Sequence, residues 1–290
     1  MDSIILKNTT ASGIPLEAIF LPNKGMNLIS YKRGSIEVID QSTKGEFERR
    51  FAGLGPLIGP HFHRRKPHLV PKMDVTKFPY VANLNNEVQS DPLSHGIGRY
   101  APWQAKFTET SIEAKLSGKD TWNDIPLSAL EGQNFQMTFH VDLTKQGLEL
   151  KLSVVSDTDS IVGIHYYYYL PQGKGTIISQ VQKTFIINNE RKLLPQNWKI
   201  DEQHVLCYPL DQDSDFTFFP YPDPLQGKIT LKTETHQLVT TYSCISEENS
   251  WQLWHPKGAS FVCIEPVSSQ DPRHPNLSVS SINIKLEITA

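Results

Sequence analysis

The stretch Phe139-His140-Val141-Asp142-Leu143, a Lys145-Gln146-Gly147 turn, and then Leu148-Glu149-Leu150-Lys151-Leu152-Ser153-Val154 decides the fold class. Apolar and polar residues alternate on both sides of the turn. That period of two is a hairpin with one face buried and one wet. Working outward, similar short runs stand at 16–21, 36–39, 176–181, 184–187, 229–232, 238–242 and 282–288. Turn signals such as Pro22-Asn23-Lys24-Gly25 and Lys32-Arg33-Gly34-Ser35 separate them. The strongest helical pattern is a single turn or so over 127–133. The expected fold is therefore all-β, a large sandwich or barrel.

The chain has 290 residues, with 38% hydrophobic and 20% charged side chains, which is ordinary for a globular protein. No linker composition, low-complexity tract or fixed-period repeat interrupts it, so one domain spanning 1–290 is expected. Lys+Arg 28 against Asp+Glu 31 gives a net charge of −3, which argues against a surface tuned to nucleic acid or anionic lipid. No apolar run approaches the ~18–20 residues of a membrane span. Asp2 and the short apolar patch after it do not read as a signal peptide. Three cysteines (Cys207, Cys244 and Cys263) cannot make a disulfide framework. A cytoplasmic protein is the expectation.

Four places carry more reactive side chains than a β-scaffold requires. In Gly59-Pro60-His61-Phe62-His63-Arg64-Arg65-Lys66, with His68 behind, three readings compete: half a zinc site, a solvated basic turn, and a cationic wall for a polar or anionic ligand. In Ser94-His95-Gly96-Ile97-Gly98-Arg99, followed by Trp103, a donor, a charge and an aromatic face share one loop. The alternative is that Arg99 only stacks on an aromatic and His95 caps a turn. In Ile164-His165-Tyr166-Tyr167-Tyr168-Tyr169, an extended chain puts His165, Tyr167 and Tyr169 on one face, opposite Tyr166 and Tyr168. In Phe261-Val262-Cys263-Ile264-Glu265-Pro266, the same alternation groups Phe261, Cys263 and Glu265. A carboxylate there is costly to bury unless paired or functional, and suits a base of shifted pKa. Pro266 is expected to end regular pairing at a sheet rim. Asp211-x-Asp213-x-Asp215 opens like a calcium loop, but Phe216 and Pro222 stand where such a loop needs Gly and Glu.

Taken in order, these segments, with Ile19-Phe20-Leu21-Pro22-Asn23-Lys24-Gly25-Met26, resemble the aldose 1-epimerase (galactose mutarotase-like) family. The resemblance covers most of the chain as sparse motifs, of which Cys263-Ile264-Glu265-Pro266 and His95-Gly96-x-x-Arg99-x-x-x-Trp103 are the more specific. It implies a β-supersandwich that interconverts the α and β anomers of a sugar without metal or organic cofactor. By that resemblance Glu265 is the catalytic base and His165 the acid. Arg64 and His95 bind sugar hydroxyls, and Asp215 contacts the sugar, with Asp211, Asp213 and Asp223 as neighbouring alternatives. The stretch with His95 and Arg99 is nearer the hexose-6-phosphate (glucose-6-phosphate 1-epimerase) branch. His63 stands where the family often has Asn, and Tyr166 where a Pro often follows the acid.

The expected partner is a small sugar or sugar phosphate, with no nucleic acid or membrane, acting on a monomer or homodimer. The proton transfers give turnover a rising limb from the carboxylate and a falling limb from the imidazole. The competing functions are a non-catalytic carbohydrate-binding sandwich and, behind it, a glycoside hydrolase, which needs two flanking carboxylates.

Overall fold

The computed structural model describes residues 2–65, 68, 70–74, 76–82 and 91–289. Lys66 lies outside them. The quoted hairpin forms as read: Phe135–Leu143 pairs with Leu148–Ser156 in antiparallel register, with Phe139 opposite Leu152 and Val141 opposite Leu150. Inward residues are buried and alternate with half-exposed or exposed ones along both strands. The pair continues on one side into Ser111–Ser117 and Gln104–Phe107. On the other side it meets Val279–Thr289, Gln237–Cys244 and Gln226–Lys232.

A second antiparallel sheet carries the side chains of functional interest. It runs from Glu190–Leu193 through Ser214–Pro220, Ser250–His255 and Phe261–Val267 to Tyr166–Tyr169 and Gly163–Ile164, ending at Leu57–Ile58. The two sheets share one strand, Thr176–Ile187. Residues 176–180 pair in the first sheet with Val205–Pro209 and Gln226–Lys232. Residues beyond Val181 pair in the second, after an irregularity between Val181 and Phe185. The two runs read at 176–181 and 184–187 are therefore one strand that changes sheet, because a bulge there bends the chain.

A four-stranded sheet of Ile4–Thr9, Pro15–Leu21, Asn27–Arg33 and Ile36–Glu37 packs on the same core, and the Tyr31 hydroxyl donates to the Leu286 carbonyl at 3.0 Å. The run at 36–39 is shorter than read, since Ile39 makes only an isolated bridge to Tyr168. The helical turn forms at Leu127–Glu131 and stops where Gly132 turns left-handed. One cluster of buried apolar side chains extends from Ile4 to Ile288. This is an antiparallel β-sandwich, the class of fold that the resemblance implies. Among the described residues, no helix is long and apolar enough to cross a membrane.

Candidate active site

Strand Phe261–Val267 lies between Ser250–His255 and the 163–169 segment. Tyr166 faces Ile264 and Gly163 faces Val267, so the same register sets His165 beside Glu265. Their side chains meet, with His165 Nε2 3.3 Å from Glu265 Oε1. Both residues are buried. Pairing is interrupted here, because the His165 N–H goes instead to the Pro56 carbonyl. That gap falls beside Pro266, where regular pairing stops on one side as expected, but the strand runs on to Val267 with a neighbour on each side rather than at a rim. The tyrosines divide as the alternation requires: Tyr166 and Tyr168 are in the core, Tyr169 is exposed, and Tyr167 stacks on His165 with ring centroids 5.1 Å apart.

A cavity of about 610 Å³ opens over this pair. His165, Glu265, Arg64, His95, Arg99 and Asp215 all line it, whereas Asp211, Asp213 and Asp223 do not. Asp213 accepts the Lys257 N–H, and Asp223 accepts the Leu225 N–H. Asp215 reaches the cavity from Ser214–Pro220, paired opposite Trp254.

His95 is held in a left-handed conformation, φ 69°, by reciprocal contacts with the neighbouring loop. Its N–H donates to the His63 carbonyl at 2.8 Å, and its Nδ1 accepts the His63 N–H at 3.3 Å. An accepting Nδ1 leaves the ring proton on Nε2 as a donor. The next residue must be Gly, since a Cβ on Gly96 would sit 2.1 Å from the Gly59 carbonyl oxygen. Gly25 serves Arg99 in the same way: its Cβ would lie 1.9 Å from the Arg99 carbonyl oxygen. Arg99 is buried, donates Nε–H to the Phe51 carbonyl at 2.7 Å, and bonds the Tyr167 side chain. It does more than stack on an aromatic. Trp103, by contrast, belongs to the core, where its indole N–H donates to the Gly98 carbonyl.

Burial pushes the Glu265 carboxyl well above the usual carboxylate range, with the Asp215 charge adding to it and Arg99 opposing. Burial, with Arg99 beside it, pushes the His165 imidazole well below its ordinary value. His95 is lowered by burial and by the nearby His165, Arg99, His63 and His61. His63 is lowered by burial and by the Arg273 and Arg64 charges.

The Arg64-Arg65 pair divides its work. Arg64 is exposed at the cavity, but Arg65 is not part of a solvated turn. Its guanidinium grips Asp91 through Nε at 2.7 Å and Nη2 at 2.9 Å, and Nη1 donates to the Leu130 and Glu131 carbonyls. Nor do His61, His63 and His68 converge on a metal: His61 contacts Glu131 at 2.5 Å and Asp91 at 3.3 Å, His63 lines the cavity, and His68 is exposed. Among the described residues, the donor atoms of His165, Cys263 and Glu265 come within 4.8 Å of one another. The Arg99 guanidinium acts on all three and already supplies positive charge there, which disfavours a cation.

Several lining residues were not read from the sequence. Gln252 and Trp254 alternate along Ser250–His255 and share a face, a signal equal to that used for Tyr167. Trp254 lies 6.0 Å from the His165 ring, and Gln252 bonds Thr217. Asn188 and Asn189, both left-handed, form the turn after Thr176–Ile187 and reach the cavity with Arg273.

Solved structures share this architecture over nearly whole chains. A galactose mutarotase-like protein from Lactobacillus casei superposes with a TM-score of 0.68 at 13% identity, covering 99% of this chain and 100% of that one. A galactose mutarotase related enzyme from Lactobacillus acidophilus gives 0.66 at 16% identity, over 99% and 97%. The GalM/aldose epimerase homologue from Caenorhabditis elegans gives 0.66 at 13% identity, over 99% of each chain. No protein-family model and no curated protein matches the sequence. At such identities the likeness is one of fold.

Proposed function

We propose that the protein is an aldose 1-epimerase, which opens and recloses a cyclic sugar hemiacetal by proton transfer between its substrate and the pair His165–Glu265. The contact of these two buried groups, 3.3 Å apart at a cavity, carries the reading. Ring opening requires removal of the anomeric O1 proton and donation of a proton to the ring oxygen. Glu265 as carboxylate takes the first, and His165 supplies the second from an imidazole N–H. The C1–O5 bond breaks, the aldehyde end rotates, and closure on the other face runs both transfers backwards. Each acid or base role is worth about 10²–10⁴ in rate.

The pair carries one proton through the cycle. It begins on His165 and ends on Glu265 at ring opening, so the number of protons on the pair is unchanged. Burial favours the second arrangement, with Glu265 raised and His165 lowered. Burial thus works against the charged arrangement from which ring opening begins. Activity falls at low pH as His165 accepts a second proton, and at high pH as the raised Glu265 loses the shared one.

Tyr167 and Trp254 offer faces for the ring, and His95 and Asp215 offer hydroxyl partners. Arg64, Arg99 and Arg273, with Arg50 at the same cavity, favour an aldose that carries phosphate over a free one. Exchange of anomers in D-glucose and D-glucose 6-phosphate, followed by NMR with and without the protein, tests the proposal. Acceleration without bond cleavage is the expected result. A binding sandwich would leave exchange at the uncatalysed rate, and a glycosidase would act only on a glycosidic bond.

A further inference from the structure

We propose that the buried chain Arg65–Asp91–His61–Glu131 is a positioning lock for the cavity, closed by the proton on His61. The four residues belong to three segments distant in sequence. His61 and Arg65 flank His63 and Arg64. Asp91 begins the loop that carries His95 and Arg99. Glu131 ends the short helix Leu127–Glu131. A sandwich needs no such cluster to close its core, and buried charge is costly unless every member is satisfied.

Here each contact fastens a site loop. Asp91 Oδ1 accepts the Leu93 N–H at 3.0 Å and Oδ2 accepts the Arg65 N–H at 2.9 Å, which ties the two loops together. Glu131 Oε2 accepts the Ile97 N–H at 2.9 Å, between His95 and Arg99, while Oε1 meets His61 Nδ1 at 2.5 Å. The His61 ring thus lies between two buried carboxylates: Nδ1 is hydrogen-bonded to Glu131, and Asp91 Oδ2 stands 3.3 Å from Nε2 as an ion-pair contact without a hydrogen bond. Only the imidazolium carries a positive charge between the two carboxylates; the neutral ring keeps one N–H and no charge.

The groups that face His61 are Glu131 and Asp91, which favour its charge, and Arg65, His63 and His95, whose positive charge would oppose it. Burial also opposes the charge, but the carboxylates prevail and lift His61 to about 8. Loss of that proton leaves the two buried carboxylates balanced by Arg65 alone, and their mutual repulsion weakens the network that fastens the loop at Leu93 and Ile97.

The sugar affected is that of the proposed function, but the lock can be read without it. Hydrogen exchange across residues 91–99 should lose protection, relative to the rest of the chain, as pH rises from about 7 to about 9. Over the same range the dissociation constant for D-glucose 6-phosphate should rise about tenfold, with kcat changing less than about twofold. In His61→Gln the weak binding should be present throughout and independent of pH. In Glu131→Gln the transition should move to lower pH, because a carboxylate that favours the imidazolium is gone.

If His61→Gln does not fold, the His61 ring resonance of the wild type serves instead and should titrate together with the loss of protection. Flat protection of 91–99 across the range overturns the lock, as does a binding transition that persists in folded His61→Gln. Absence of anomer exchange at every pH, with the protection change present, overturns the proposed function and leaves the lock standing.

Discussion

Replacing Glu265 by Gln moves rate and stability in opposite directions. The carboxylate is 2% exposed and touches one ring nitrogen at 3.3 Å. The amide keeps its size and an acceptor for that nitrogen but cannot take the O1 proton. Removing the base lowers anomer exchange by about 10²–10⁴, which is about 3–5 kcal/mol of barrier.

Stability follows a different route. Burial raises Glu265 in the folded chain, so the group favours folding while protonated, below its unfolded value of 4.5. That advantage disappears as pH rises through the raised folded value, above which the buried charge costs free energy. The amide carries no such penalty, so at neutral pH and above the variant should melt no lower than the wild type, and higher where Glu265 is ionised. A residue that merely braced His165 would do the reverse: its loss would cost about 1–3 kcal/mol of stability and spare the rate. The assay pairs NMR exchange with a thermal melt and a sugar titration on the same sample. A folded Glu265→Gln protein exchanging anomers within about tenfold of the wild type would refute the assignment of Glu265 as base.

Three further outcomes are expected. His165→Asn should lower turnover by about 10²–10⁴ and abolish the acid limb of the turnover profile, which in the wild type lies below the ordinary histidine value of 6.5; kinetics of both proteins across pH measure it. Arg64→Ala should raise the dissociation constant for sugar phosphate by about tenfold or more while turnover at saturation changes little, as read by titration and initial rates. His61, raised from 6.5 to about 8, should contribute about 2 kcal/mol of stability below pH 6.5, lost as pH rises through about 8; denaturant unfolding of wild type against His61→Gln measures it, and a pH-independent difference would contradict it.

What the sequence made legible follows from the range of the interactions involved. Period-two alternation is local, so the 139–154 hairpin, the faces of the tyrosine run and the grouping of Cys263 with Glu265 could all be read before any fold was known. Their juxtaposition could not, because the register between 163–169 and 261–267 is a pairing across about a hundred residues that no local pattern encodes. A shifted carboxyl at Glu265 could be read from its apolar strand, but the opposite shift of His165 was hidden, because it is set mainly by burial among residues far along the chain. Arg65 shows the limit most clearly. Its neighbours in sequence read as a wet basic turn, and only Asp91, brought in by a separate loop, makes it an internal cation.

The division of labour between sheet and loops bears on how such a site can change its substrate. His165 and Glu265 belong to adjoining strand segments whose register is fixed by the buried faces beneath them, so a slip of one residue would turn every tyrosine of the run to the wrong side. The groups offered to the rest of a ligand stand instead on loops and turns. His63 and His95 each hold a positive φ, as do Asn188 and Asn189, and such conformations persist only where surrounding contacts impose them. For His95 those contacts are the reciprocal bonds to His63 and, through Ile97, the Glu131 carboxylate. Loop substitutions can therefore alter the ligand-facing groups without disturbing the His165–Glu265 pair, whereas a change in the strands reaches both. If the proposed function holds, selectivity between a free and a phosphorylated sugar should reside in 61–65 and 91–99, and the chemistry in the strand pair below them.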